Sequence, residues 1–184
     1  SSAEGGAVLC RETSLATGIS QFIDQGRSPN DAELFGVIGT NARLSNIAAL
    51  IGLVSLSRWQ DVVARRGEMA RRYSELIEGL PVRPVRPPDD GVSNEYKYMV
   101  RLPTNVTRLE VKRNLATGGV RLPGEVYSVP CFRQPAFSQF ERFGSLSNAD
   151  QFCSEHICLP LHRGLSATDQ ETVVRALERA VLEA

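Results

Sequence analysis

Residues 35–46 read FGVIGTNARLSN, and the organisation of the whole chain turns on this stretch. Gly36 and Gly39 punctuate a loop, and Asn41, Arg43 and Ser45 then lead into a long run of apolar-periodic sequence. Serine is a preferred helix N-cap because its side-chain oxygen accepts a backbone N–H of the first turn, so a helix is expected to begin at Ser45. The unpaired N–H groups and the dipole at such an end favour anions. An amide donor at Asn41 and a guanidinium at Arg43, delivered to that point, suit a phosphate. The plain alternative is ordinary capping with a surface arginine.

Downstream, Leu44, Ile47, Ala48, Ile51, Val54, Trp59, Val62, Met69, Tyr73 and Leu76 approximate one apolar face, which predicts helix over 45–78. Gly79 and Pro81 stop it. The length without a heptad repeat predicts one bend, near Asp61 or Gly67. Residues 79–94, GLPVRPVRPPDDGVSN, hold four prolines and read as a linker between domains at 1–78 and 95–184. Beyond the linker, strand is expected over 96–102 and helix over 107–116, ending at Gly118-Gly119. A second helix is expected over 148–156, a strand over 157–161, and a last helix from Ser166 with Asp169 as a capping-box acid. This alternation predicts a small α/β unit. Between its regular elements lies VRLPGEVYSVPCFRQPAF, residues 120–137, where Glu125, Tyr127, Arg133 and Gln134 stand in a proline-stiffened loop. Such loops carry ligand contacts or merely cross a surface.

Upstream, residues 7–10 (AVLC) read as a short buried strand, and 11–30 as an amphipathic segment followed by a polar loop. The chain has 21 basic and 21 acidic side chains, which excludes a general binder of nucleic-acid backbones, since that needs a basic excess. No apolar run approaches the roughly 20 residues of a membrane span. Four cysteines in 184 residues make no disulfide framework and suit a reduced, cytoplasmic setting. Cys153, His156 and Cys158 lack the spacing of a zinc knuckle, so no metal is expected and the stretch reads as a helix end entering a buried strand.

Four runs together resemble a known family: EGGAV at 4–8, GTNARLSNIAALIG at 39–52, NEYKYMV at 94–100 and GEVYSVPCFRQP at 124–135. They are similar, in order, to the DegT/DnrJ/EryC1/StrS aminotransferases, pyridoxal-phosphate enzymes that act mostly on nucleotide-linked keto sugars. The resemblance implies an α/β fold, the C-terminal part of a fold-type-I transferase. It would hold the end of the large domain, a long connecting helix and a small α/β domain. In the family the Schiff-base lysine shortly precedes the E-G-G run, which places it before Ser1. The only lysines here, Lys97 and Lys112, match no such position. The resemblance therefore implies no catalytic residue in this chain and no activity by it alone. Pyridoxal phosphate would be held together with another half or a neighbouring subunit.

The same resemblance implies cofactor-binding roles for Asn41, toward the phosphate of the neighbouring subunit, and for Arg43. It implies sugar-facing roles for Glu125 and Tyr127. Many relatives carry histidine where Phe132 stands, which removes a donor and acceptor from that region. The expected partners are a second copy or a separate N-terminal half, and a nucleotide-sugar substrate. The alternative is a non-catalytic remnant that persists as a dimerising or binding module.

Overall fold

The structure, a computed structural model, describes residues 4–88 and 90–184. Residues 1–3, in the expected first domain, and residue 89, in the expected linker, lie outside the described residues. The chain divides into two compact units, 1–60 and 61–184.

The first unit is built on two helices, α1 (Thr13–Ile23) and α2 (Asn46–Leu56), and the loop that joins them. The loop folds back on the end of α1. The last carbonyls of a helix lack intrahelical partners. Here Gln21, Phe22 and Ile23 offer theirs to the N–H groups of Gly26, Thr40 and Ala42 at 2.8, 2.8 and 2.9 Å. Gly26 has φ +86°, and a Cβ on Gly39 would stand 2.3 Å from the Gly26 nitrogen. Only a glycine at 39 lets the two backbones pass this closely. Ser45 caps α2 as expected, accepting from the Ala48 N–H at 3.2 Å.

Residues 7–10 are not the buried strand expected of them. They are irregular, and Leu9 is 97% exposed. A strand needs a ladder partner, and among the described residues no strand lies beside this run. The expected long helix is likewise broken, at Ser57–Arg58, and not bent near Asp61 or Gly67. The Ser57 hydroxyl donates to the Val54 carbonyl at 2.9 Å, and the Arg58 N–H closes a tight turn onto Ser55. Asp61 then lies in the first turn of α3 (Trp59–Leu76), where its charge suits the helix N-terminus. It marks a beginning, not a kink.

The second unit holds the core. A three-stranded antiparallel sheet runs in the order β1 (Arg83–Pro84), β2 (Tyr98–Arg101), β3 (His156–Leu159). Its registers include Arg83 opposite Arg101, and Val100 opposite Ile157. β1 lies inside the expected linker 79–94. Its Pro84 is tolerated because β1 is an edge strand, where one side of the ladder needs no donor. Against the sheet pack α3, α4 (Arg108–Thr117) and α6 (Ala167–Leu182), while α5 (Ser147–Glu155) feeds β3. Tyr73, Val100, Val111, Leu115, Ile157, Leu159 and Leu177 form a continuous buried cluster. Tyr73 is 0% exposed, stacks on Tyr98 at 5.1 Å between ring centres, and donates to the Pro160 carbonyl at 3.0 Å. Burial pushes its phenol pKa far up, so the group stays a donor. The capping box expected at Ser166 and Asp169 is formed in both directions.

Candidate functional site

Each unit contributes one arrangement. In the first, Asn41 and Arg43 leave the loop that closes α1 and enter α2. Asn41 faces Asp24 across an isolated antiparallel bridge. The Arg43 Nη1 lies 3.1 Å from the Asp24 carboxylate, and its Nε donates to the Asn41 Oδ1 at 3.3 Å. Asn41 is exposed, and with its oxygen so engaged its NH₂ is the group it can offer as a donor. Ser45, not Asn41, caps the helix, so the Asn41 side chain has no capping task. A cleft of about 630 Å³ opens at the residues that follow, lined by Glu4, Gly5, Gly6, Arg43, Ser45 and the apolar flank of α2, with Asn41 next to the lining and not part of it. Two sequence runs far apart in the chain, 4–6 and 43–51, thus meet at one helix N-terminus. The cleft carries one guanidinium, from Arg43, one carboxylate, from Glu4, and a helix N-terminus whose partial positive charge suits an anion.

In the second unit, residues 124–127 are tied down from three directions. Lys97, just ahead of β2, donates to the Gly124 carbonyl at 3.0 Å. Lys112 of α4 pairs with the Glu125 carboxylate at 2.8 Å. His156 at the start of β3 accepts the Val126 N–H on its Nε2 at 3.2 Å. Burial pushes the Glu125 carboxyl up, but the hydrogen bond and charge of Lys112, with Arg108 nearby, outweigh it and hold it below the ordinary value. Tyr127 follows directly and is 68% exposed. Farther along, Phe132 lies under two guanidinium groups, of Arg142 at 5.3 Å and Arg133 at 5.8 Å, and Arg133 also pairs with Asp150. Two cations thus stack on one aromatic ring.

The expected site residues thus fall into two groups. Asn41 and Arg43 come together in the first unit, and Glu125 and Tyr127 share one segment of the second. The sequence places His156 at the end of the expected helix 148–156, whereas in the structure it is the first residue of β3. Its tie to Val126 spans 30 positions, and no local pattern announces it. Both its ring nitrogens bond backbone groups, and burial pushes the neighbouring Cys158 thiol up. Among the described residues no cluster could hold a metal ion, and no single helix is long and apolar enough to cross a membrane.

A pyridoxal phosphate needs a lysine amine, an acid at its ring nitrogen and donors for its phosphate. Lys97 and Lys112 both have their amines engaged, with Gly124 and Glu125. Asn41, Arg43 and the α2 N-terminus suit the phosphate alone. What the described residues offer such a group is an anion-suited helix N-terminus beside Arg43.

This combination of an anion-suited helix N-terminus and a small α/β unit has the fold of part of a pyridoxal-phosphate-dependent sugar aminotransferase. The aminotransferase TlmJ of Streptoalloteichus hindustanus superposes with a TM-score of 0.78 at 28% identity, covering 94% of this chain and 46% of that one. PseC of Helicobacter pylori, an aminotransferase involved in the biosynthesis of pseudoaminic acid, gives 0.83 at 21% identity, over 100% and 50%. The chain belongs to the DegT/DnrJ/EryC1/StrS aminotransferase family, whose model matches residues 1–178. It is 27% identical to GDP-perosamine synthase of Caulobacter vibrioides over 97% of this chain and 48% of that protein. It is also 26% identical to UDP-2-acetamido-2-deoxy-3-oxo-D-glucuronate aminotransferase of Pseudomonas aeruginosa, over 95% and 46%. The chain spans about half the length of the relatives it matches.

Proposed function

We propose that this chain is the C-terminal portion of an aminotransferase acting on a nucleotide-linked keto sugar. In this reading its first unit supplies phosphate-holding residues and its second unit sugar-facing residues, and the lysine lies on another segment or chain. The observation that carries the proposal is the cleft where Gly5, Gly6, Arg43 and Ser45 converge on the N-terminus of α2. Pyridoxal phosphate, when bound, supplies the electron sink for amino transfer. Asn41 donates its amide to the phosphate, and Arg43, braced by Asp24, adds its positive charge. Tyr127 and the segment fixed beneath it face the sugar. The 184 residues alone are inactive and reside in the cytoplasm with their partner, a second copy or the completing half.

The test is Asn41→Ala in the presence of the completing half. A charge-assisted hydrogen bond contributes about 1.5–3 kcal/mol, so cofactor affinity should fall roughly ten- to a hundredfold. Urea unfolding of the isolated chain should stay near wild type, because the exposed Asn41 side chain supports no packing. Equal cofactor affinities in the assembled enzyme would refute the phosphate role. A large loss of stability in the isolated variant would make Asn41 a structural residue instead. The alternative reading, a non-catalytic binding module, draws support from the two engaged lysines. It requires that no completing half restore amino transfer.

A further inference from the structure

Three consecutive residues, Gly124, Val126 and Glu125 between them, are held by side chains from three separate stretches of chain. Two of the ties are lysine contacts, each from a side chain that reaches solvent. The third differs in kind. His156 is 0% exposed, and its ring stacks on Phe152 at 4.5 Å and 11°. Its Nε2 accepts the Val126 N–H, so that nitrogen is bare. The proton therefore sits on Nδ1, which lies 2.7 Å from the Phe152 carbonyl and donates to it. One tautomer satisfies both backbone groups, and no other does. The ring thus joins the last turn of α5 to the 124–127 segment, with β3 as its base. A leucine would fill this all-buried strand position at least as readily, so packing alone does not call for histidine.

We propose that His156 is a positioning residue. As the Nδ1–H tautomer it fixes the Val126 backbone and thereby the outward projection of Tyr127. The Glu125 carboxylate, engaged by Lys112, acts as a second peg of the same mount, and Tyr127 is the side chain presented to the substrate. This assignment rests on the sugar-facing role proposed above, and its test separates the two.

The chain has two histidines, so selective ¹⁵N-histidine labelling yields two rings, and His156→Gln identifies one of them. The expected spectrum of that ring at neutral pH shows a protonated Nδ1 and a bare Nε2. An Nε2–H tautomer overturns the proposal on the wild-type protein, without any variant having to fold. Amide exchange gives the second measurement. In His156→Leu the Val126 amide should exchange roughly tenfold faster, the loss of about one hydrogen bond. The α6 amides of Leu177 and Ala180 should hold their rates. His156→Gln, which keeps an acceptor, should restore much of the protection. Unchanged exchange at Val126, or acceleration spread equally into α6, assigns His156 to general packing and overturns the positioning role. In the assembled enzyme, with a dTDP-linked keto hexose as probe, His156→Leu should raise KM more than it lowers kcat. If Tyr127→Phe and His156→Leu both leave KM unchanged while the exchange result stands, the sugar-facing role falls and the mount remains.

Discussion

At the scale of single residues, the ion pairs of the second unit make its stability depend on acid. Glu155 of α5 accepts two bonds from Arg101 and one from Gln151. Burial pushes its carboxyl up, but these partners outweigh burial and hold it below the ordinary 4.5. A carboxyl depressed in this way contributes stability above its unfolded value and loses it as pH falls through the folded one. Glu125 behaves alike. Wild-type stability should therefore decline between about pH 5 and pH 3, and Glu155→Gln should start lower at pH 7 and decline less. Urea unfolding across that range measures it, and parallel declines of the two proteins would show that the pair contributes nothing. Tyr73 makes a prediction of another sort. Tyr73→Phe keeps the stacked ring and removes only the donor to Pro160, which should cost about 1–2 kcal/mol. A cost above about 4 kcal/mol would mean that the ring itself had moved.

At the scale of elements, the glycine pair 26 and 39 decides whether the first unit holds its shape. A Cβ on Gly39 would meet backbone atoms of Gly26 and Phe22 at 2.3 and 2.6 Å, which no side-chain adjustment relieves. Gly39→Ala should therefore free the 39–42 strip from the end of α1, at roughly 1–3 kcal/mol. Amide exchange should quicken at Thr40 and Ala42 and stay unchanged in β2 and β3; protected amides at 40 and 42 would refute the close approach. This element also shows what the sequence made legible. Ser45, Ser166 with Asp169, and Gly118-Gly119 are local signals, and the structure places a cap or a stop at each. The strands at 96–102 and 157–161 were legible as β-rich runs and are shorter than expected, Tyr98–Arg101 and His156–Leu159, because pairing sets their length. The apolar run 7–10 misled for the converse reason, since composition states a wish to be buried and says nothing of a partner. Asn41 and Arg43 were legible as a motif before a cap. His156 was not, because its meaning depends on a residue 30 positions away.

At the scale of the molecule, burial is unevenly shared. α2 has no buried residue, and Ile47, Leu50, Leu53 and Leu56 are all exposed, as are Val8, Leu9 and Ile38 of the same unit. Apolar surface in this amount is rarely left in water by a stable monomer. The isolated chain should self-associate, and sedimentation should show species heavier than 20.2 kDa at micromolar concentration. A single monomeric species over a wide concentration range would show that this surface needs no cover. The second unit, by contrast, closes on itself through very distant stretches of chain. Gln170 of α6 donates to the Met69 carbonyl of α3 across 101 positions, and Tyr73 reaches Pro160 across 87. Contacts that far apart cannot form early, because the intervening loop must first be closed. During synthesis, then, α3 leaves the ribosome long before the residues that cover it. For that interval its buried face stands open to chaperones, so the yield of folded protein should depend on the pace of translation between 77 and 167.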